Sequence, residues 1–111
     1  MWHNGDARSA IALAKQQKSV FVVFVHGADE KSEDMCRVWE NEAVVAECLR
    51  ENCVALKLEA NTVACKHFSQ IYPVIVVPVT YFIGLSGRPL EVISGYCSAD
   101  ELALKLQRVL Q

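Results

Sequence analysis

Tyr72-Pro-Val-Ile-Val-Val-Pro-Val-Thr-Tyr-Phe-Ile-Gly84 is the stretch from which the rest of the chain is read. Val74 to Ile83 is almost wholly apolar and rich in β-branched and aromatic residues, the composition of a strand buried on both faces. Pro78 interrupts it. Proline has no N–H to give to a ladder, so within a sheet it belongs at a strand start, an edge or a bulge. Val74–Val77 therefore approach the sheet, Pro78 turns the corner, and Val79–Ile83 enter as a strand.

Upstream, Asp6 is placed to cap a helix over about residues 7–17, with Ala10, Ile11, Leu13 and Ala14 as its apolar stripe. Val20-Phe-Val-Val-Phe-Val25 is continuous and β-branched, as in a central strand. His26–Ser32 is a loop. Met35, Val38, Trp39, Ala43, Val45, Ala46 and Leu49 then recur near a 3.6 period, which predicts one long helix over about 31–51, kinked near Asn41 and stopped by Asn52. Cys53–Leu58 is a second strand with alternating burial, parallel to the first because a helix joins them. Thr62–Ile71 is a short helix with Val63, Ala64, His67, Phe68 and Ile71 assigned to one face. Pro89–Ser94 returns antiparallel to Val79–Ile83 across a turn at Gly87. Ser98-Ala-Asp-Glu101 is a capping box that opens a last helix over about 99–110.

The resulting order, α-β-α-β-α-β-β-α, is that of a thioredoxin-like α/β fold: a four-stranded mixed sheet with helices on both faces, in a single domain spanning 1–111. Such a sheet keeps a cis proline at the start of its third strand. The Val77–Pro78 bond is therefore expected to be cis, although only about 5% of X–Pro bonds are.

The totals narrow the function. The chain has 111 residues and a net charge of −2, with no basic stripe, which argues against nucleic acid. No apolar run approaches the ~18–20 residues that span a bilayer, so no membrane contact is expected of this segment. From Asp29 to Glu51 eight acids face three bases. That is the pattern of a solvated helix face, with an acidic docking surface as the sharper reading. Five cysteines, Cys36, Cys48, Cys53, Cys65 and Cys97, contain no C-x-x-C and no zinc-like spacing. Reduced thiols in a cytosolic compartment fit this usage. His3, His26 and His67 are scattered, so no metal and no cofactor are expected.

In a thioredoxin-like fold the nucleophilic thiol lies just after the first central strand, where helix N-terminal amides stabilise a thiolate. Here that segment is His26-Gly-Ala-Asp-Glu-Lys-Ser32, without a cysteine and with acids that would raise the pKa of a nearby thiol. No catalytic residue is expected. The enzymatic alternative is a monothiol oxidoreductase or glutathione-binding protein using Cys36, the nearest thiol. What remains of such a site is its peptide-docking edge: the backbone before the cis proline can pair with an extended segment. That reading puts Val77 and Pro78 on one lip, His26, Gly27 and Ala28 on the other, and Trp39 beneath.

Several stretches together carry a family resemblance: Ala10–Lys15, Val20–Val25, the Trp39-Glu40 pair, Phe68-Ser-Gln-Ile-Tyr-Pro-Val74 running on through Val77-Pro78 to Gly84, Ser86-Gly87, Pro89-Leu-Glu-Val-Ile93 and Ser98–Leu102. Over nearly its whole length the chain resembles the N-terminal thioredoxin-like domain of UBX-domain adaptors. The resemblance implies a fragment whose UBX domain lies further on and is not included here. It implies a redox-inactive interaction domain of a protein on the cytoplasmic face of the endoplasmic reticulum membrane. Proteins of that kind act in endoplasmic-reticulum-associated degradation, the ubiquitin pathway and the unfolded protein response. The valosin-containing AAA ATPase and ubiquitin-pathway components would be reached only through the full-length protein. The resemblance brings no catalytic residue and no oligomeric state.

Overall fold

The computed structural model describes residues 1–50 and 53–110. Its elements are α1 (Ala7–Gln17), β1 (Phe21–His26), α2 (Glu30–Trp39), α3 (Glu42–Arg50), β2 (Val54–Glu59), α4 (Val63–Ser69), β3 (Val79–Ile83), β4 (Pro89–Ser94) and α5 (Ala99–Leu110). The sheet order is β2-β1-β3-β4. β1 runs parallel to β2 and antiparallel to β3, and β3 pairs antiparallel with β4. This is the mixed thioredoxin-like sheet expected from the element order.

Strand alternation divides the core into two layers. Phe21, Val23 and Val25 of β1 join Val54, Leu56 and Leu58 of β2 and Val79, Tyr81 and Ile83 of β3 on one face, covered by Ala10 and Ala14 of α1 and by Cys65 and Phe68 of α4. Val22 and Phe24 point the other way, to Met35 and Trp39 of α2, Val44 and Cys48 of α3, and Leu102 and Leu106 of α5. Both faces of β1 are thus sealed, which is why its run is apolar without alternation. Trp2 closes the second layer. It bridges to Ala55, stacks on Phe24 at 6.0 Å between centroids and meets Trp39 edge-on at 5.4 Å.

Local signals hold where side chains reach their own backbone. Asp6 accepts from the Ser9 N–H at 2.8 Å. The Ser98 hydroxyl accepts from the Glu101 N–H at 3.2 Å, and Glu101 accepts from the Ser98 N–H at 3.4 Å, closing the capping box. Gly87 takes φ +84° in the β3–β4 turn.

The long helix expected over 31–51 is instead two. α2 ends at Trp39, and Asn41 starts α3 afresh, with its side chain accepting from the Ala43 N–H at 3.0 Å and its carbonyl from the Val45 N–H at 3.0 Å. The break resets the helical phase. α3 buries Val44 and Cys48, whereas Leu49, expected in the stripe, is 64% exposed. The expected stop at Asn52 lies outside the described residues. α4 departs from its expected face as well. Cys65 and Phe68 are its buried residues, three apart, while Val63, Ala64, His67 and Ile71 are exposed. Its seven residues give room for one such pair against the sheet.

The phase reset makes a stability contrast. Val44→Ala should lower unfolding free energy by about 2 kcal/mol, and Leu49→Ala should stay within about 0.5 kcal/mol of the parent. Urea denaturation of both variants checks this. Equal losses would restore the single-helix stripe.

Candidate functional site

The site is assembled where β1 ends and β3 begins. Val25 pairs with Val79, so the chain leaving β1 and the chain entering β3 are neighbours at one end of the sheet. Val77–Pro78 is a cis peptide, as expected. Pro78 is fully buried and Val77 is half-buried. Across from them, Gly27 comes so close that an added Cβ would meet Val77 Cγ2 at 2.9 Å. Glycine is required here by close approach, not by backbone angle. His26, half-buried, ends β1 with its ring stacked on Phe24 at 5.7 Å, and its carbonyl accepts from the Ala60 N–H at 2.8 Å. Ala28 is exposed. The structure therefore brings His26, Gly27, Ala28, Val77 and Pro78 together.

Trp39 is placed differently from the expectation of a residue beneath the lips. It is 1% exposed and belongs to the layer with Phe24 and Trp2, whereas Val77 packs against the opposite layer. A partner at the lips cannot touch it. Its indole N–H is buried without a hydrogen-bond partner.

A hydrogen-bonded loop fixes the first lip. The Gly27 N–H donates to Ser32 Oγ at 2.9 Å, and the Ser32 hydroxyl donates to Asp29 Oδ1 at 2.6 Å. Ser32 is fully buried, so both of its roles are filled from within the protein. Asp29 is the N-cap residue of α2, and its carbonyl accepts the first helical bond, from the Glu33 N–H at 3.1 Å. The Ser32 hydrogen bond holds the Asp29 carboxyl below its ordinary range. Asp29 and Ser32 stand three apart at the head of the helix that follows the first central strand. That is the spacing and the place of a C-x-x-C motif, with a carboxylate and a hydroxyl where the two thiols would be.

The second lip is apolar and open. Ile75 is 89% exposed and Val76 51% exposed. Among the described residues, the main chain of Ile75, Val76 and Val77 makes no backbone hydrogen bond. A third loop adjoins it: the Gly95 N–H donates to the Pro78 carbonyl at 2.8 Å, Gly95 holds φ +83°, and the next residue, Tyr96, is exposed.

Three of these features lie outside the expected site residues. Asp29–Ser32 was legible from spacing alone, by laying C-x-x-C over the loop. Ile75 and Val76 were hidden by being read as an approach to a buried strand. Gly95–Tyr96 reaches the site only through the β3–β4 pairing, which no local signal shows.

The thiols lie elsewhere. Cys36 is half-buried on α2 against the second layer, one turn beyond Ser32. Cys65 is buried in the first layer and Cys97 in the second. Burial, with Glu101 nearby, pushes the Cys97 thiol up. Among the described residues, no three His, Cys, Asp or Glu side chains form a metal-binding group. No helix among them is long and apolar enough to cross a membrane. An apolar depression of about 200 Å³, lined by Ile11, Phe21, Tyr72, Ile83 and Leu85 among others, opens at the far end of the sheet from the lips.

Known proteins place this geometry in context. The solution structure of a thioredoxin from Thermus thermophilus superposes with a TM-score of 0.80 at 18% identity, covering 94% of this chain and 83% of that one. The reduced C-terminal domain of DsbD from Neisseria meningitidis gives 0.71 at 14% identity, covering 91% of each chain. At these identities the likeness establishes the thioredoxin-like fold alone. In sequence, UBX domain-containing protein 4 of Rattus norvegicus is 50% identical over 111 residues, all of this chain and 22% of the relative, and that of Homo sapiens is 49% identical over the same span. Plant UBX domain-containing protein 11 of Arabidopsis thaliana is 36% identical over 104 residues, 94% of this chain and 20% of the relative. The chain thus spans 22% of the length of the first of these relatives. The profile of the UBX7 N-terminal domain matches residues 2–111, and the chain belongs to that family.

Proposed function

We propose that this chain is a redox-inactive, thioredoxin-like protein-interaction domain of a UBX adaptor. It is one domain, residues 1–111, of a longer protein whose UBX domain lies outside it. It docks an extended segment of a protein partner along the Val77 main chain, between the Ile75–Pro78 lip and the His26–Ala28 lip. The carrying observation is the Asp29–Ser32 pair at the redox position: neither group can form or exchange a disulfide. The open main chain of Ile75–Val77, with its exposed apolar side chains, supplies the two elements of strand addition, unpaired backbone groups for affinity and side-chain contacts for selectivity.

The full protein works in endoplasmic-reticulum-associated degradation on the cytoplasmic face of the endoplasmic reticulum. The valosin-containing AAA ATPase is engaged elsewhere in that protein, not by this domain. The likeness to UBX domain-containing protein 4 supports this reading. The competing role for Cys36 is weakened by its packing against the second core layer, away from the lips.

Two expectations follow from this site. In an amide chemical-shift titration with short extended peptides alternating Val or Ile with Thr, Gly27, Ala28, Val76 and Val77 should move. The Ile75→Asp, Val76→Asp double variant should weaken that binding at least about tenfold. Silent lips, or shifts gathered on the acidic surface of α2 and α3, would refute the docking mode. The second expectation concerns acid titration. Asp29 is depressed in the folded state, so its contribution to stability is present above the ordinary carboxylate value and is lost as pH falls through the folded one. Ser32→Ala should therefore raise the Asp29 midpoint toward the ordinary range in a carboxylate-detected NMR titration. An unchanged midpoint would mean that the Ser32–Asp29 bond does not hold the lip.

A further inference from the structure

Cys48 and Cys53 are two thiols that the interaction reading leaves unused and that the fold brings together. Cys48 is buried near the end of α3 against the second core layer, and Cys53, just before β2, packs on the same layer half-buried. Their Sγ atoms are 2.8 Å apart. The backbone joins the same two residues: the Cys53 N–H donates to the Cys48 carbonyl at 3.2 Å. Among the described residues, Cys36, Cys65 and Cys97 have no comparable thiol neighbour.

Exposure gives the two thiols different parts. Cys53 is partly open to solvent, whereas Cys48 is 1% exposed within the second layer with its Sγ against that of Cys53. Their acidities diverge in the same sense. The hydrogen bond with Cys48 holds the Cys53 thiol below its ordinary value, against the effect of burial. That bond and burial push the Cys48 thiol up. An accessible thiol of lowered pKa beside a resolving partner is the arrangement of a disulfide-forming pair.

We propose that Cys48 and Cys53 are a dithiol modification site that reacts with a small-molecule disulfide of the glutathione class and closes to an intramolecular disulfide. The Cys53 thiolate attacks one sulfur of the reagent, forming a mixed disulfide and expelling one glutathione thiolate. Cys48 then gives up its proton and attacks Cys53 Sγ. The Cys48–Cys53 bond forms and the second glutathione leaves as a thiol. The protein loses two protons and two electrons, and the reagent gains them. The sulfurs need approach by only about 0.8 Å to reach bonding distance. In a reducing compartment such a bond is transient and responsive. It would tie the end of α3 to the start of β2, where Val54 pairs with Phe21, at the opposite end of the sheet from the docking lips. It is therefore separate from the Asp29–Ser32 position and needs no oxidoreductase turnover.

The test is incubation of the 111-residue chain with oxidised glutathione, followed by acid quench, alkylation and peptide mapping by mass spectrometry. The expected product has lost two hydrogens, carries a Cys48–Cys53 cross-linked peptide, and leaves Cys36, Cys65 and Cys97 alkylated. Cys48→Ser should instead accumulate one stable glutathionyl adduct, on Cys53. A wild-type chain that stays fully alkylatable would overturn the proposal. So would one that keeps the adduct on Cys53 without closing, or that forms its disulfide between other cysteines.

Discussion

Antiparallel pairing of Val25 with Val79 fixes where every other part of the candidate site can be. It sets the exit of β1 beside the entrance of β3, so the loop after His26 and the residues before Val79 must share one small volume. Gly27 is the concession: any side chain there would drive into Val77. Pro78 is the complement, ending the approach without leaving an N–H to be satisfied in a buried place. The β3–β4 pairing then brings Gly95 onto the Pro78 carbonyl, so three loops converge through two strand registers.

Electrostatics at the head of α2 follow from that frame. Helix N-terminal amides favour negative charge, and in a redox thioredoxin-like protein that field stabilises a thiolate. Here Asp29, with Glu30 and Glu33 in the first turn, occupies the field, and the Ser32 hydroxyl holds Asp29 in place. The same helix terminus that would lower a thiol pKa stabilises a fixed carboxylate instead. The architecture is kept, with a carboxylate and a hydroxyl at the position where a redox protein of this fold carries its thiols. The main chain left open at Ile75–Val77 is the edge on which the proposed docking depends.

The fold was legible because its signals were of the kind sequence carries well. β1 and β3 are buried on both faces, α5 opens with a complete capping box, and Pro78 cannot stand in the interior of a central strand. Helix phase was less legible. Nothing in Met35–Leu49 announces that Glu40–Asn41 interrupts the helix, because apolar residues before and after the break fit one continuous stripe nearly as well as two. The site was half legible. Gly27, Ala28, Val77 and Pro78 follow from topology, but Trp39, expected beneath the lips, sits on α2, which packs on the Val22 and Phe24 face away from Val77. Ile75 and Val76 escape such a reading because hydrophobicity predicts burial, whereas here both apolar side chains face solvent.

Reduction of insulin disulfides with dithiothreitol, measured for the wild-type chain beside Cys36→Ser, tests most directly whether the redox position has been given up. Both proteins should precipitate insulin no faster than dithiothreitol alone. Turnover above that background that is lost in Cys36→Ser would contradict the account, because a working thiol would then have to serve the position that Asp29 and Ser32 occupy.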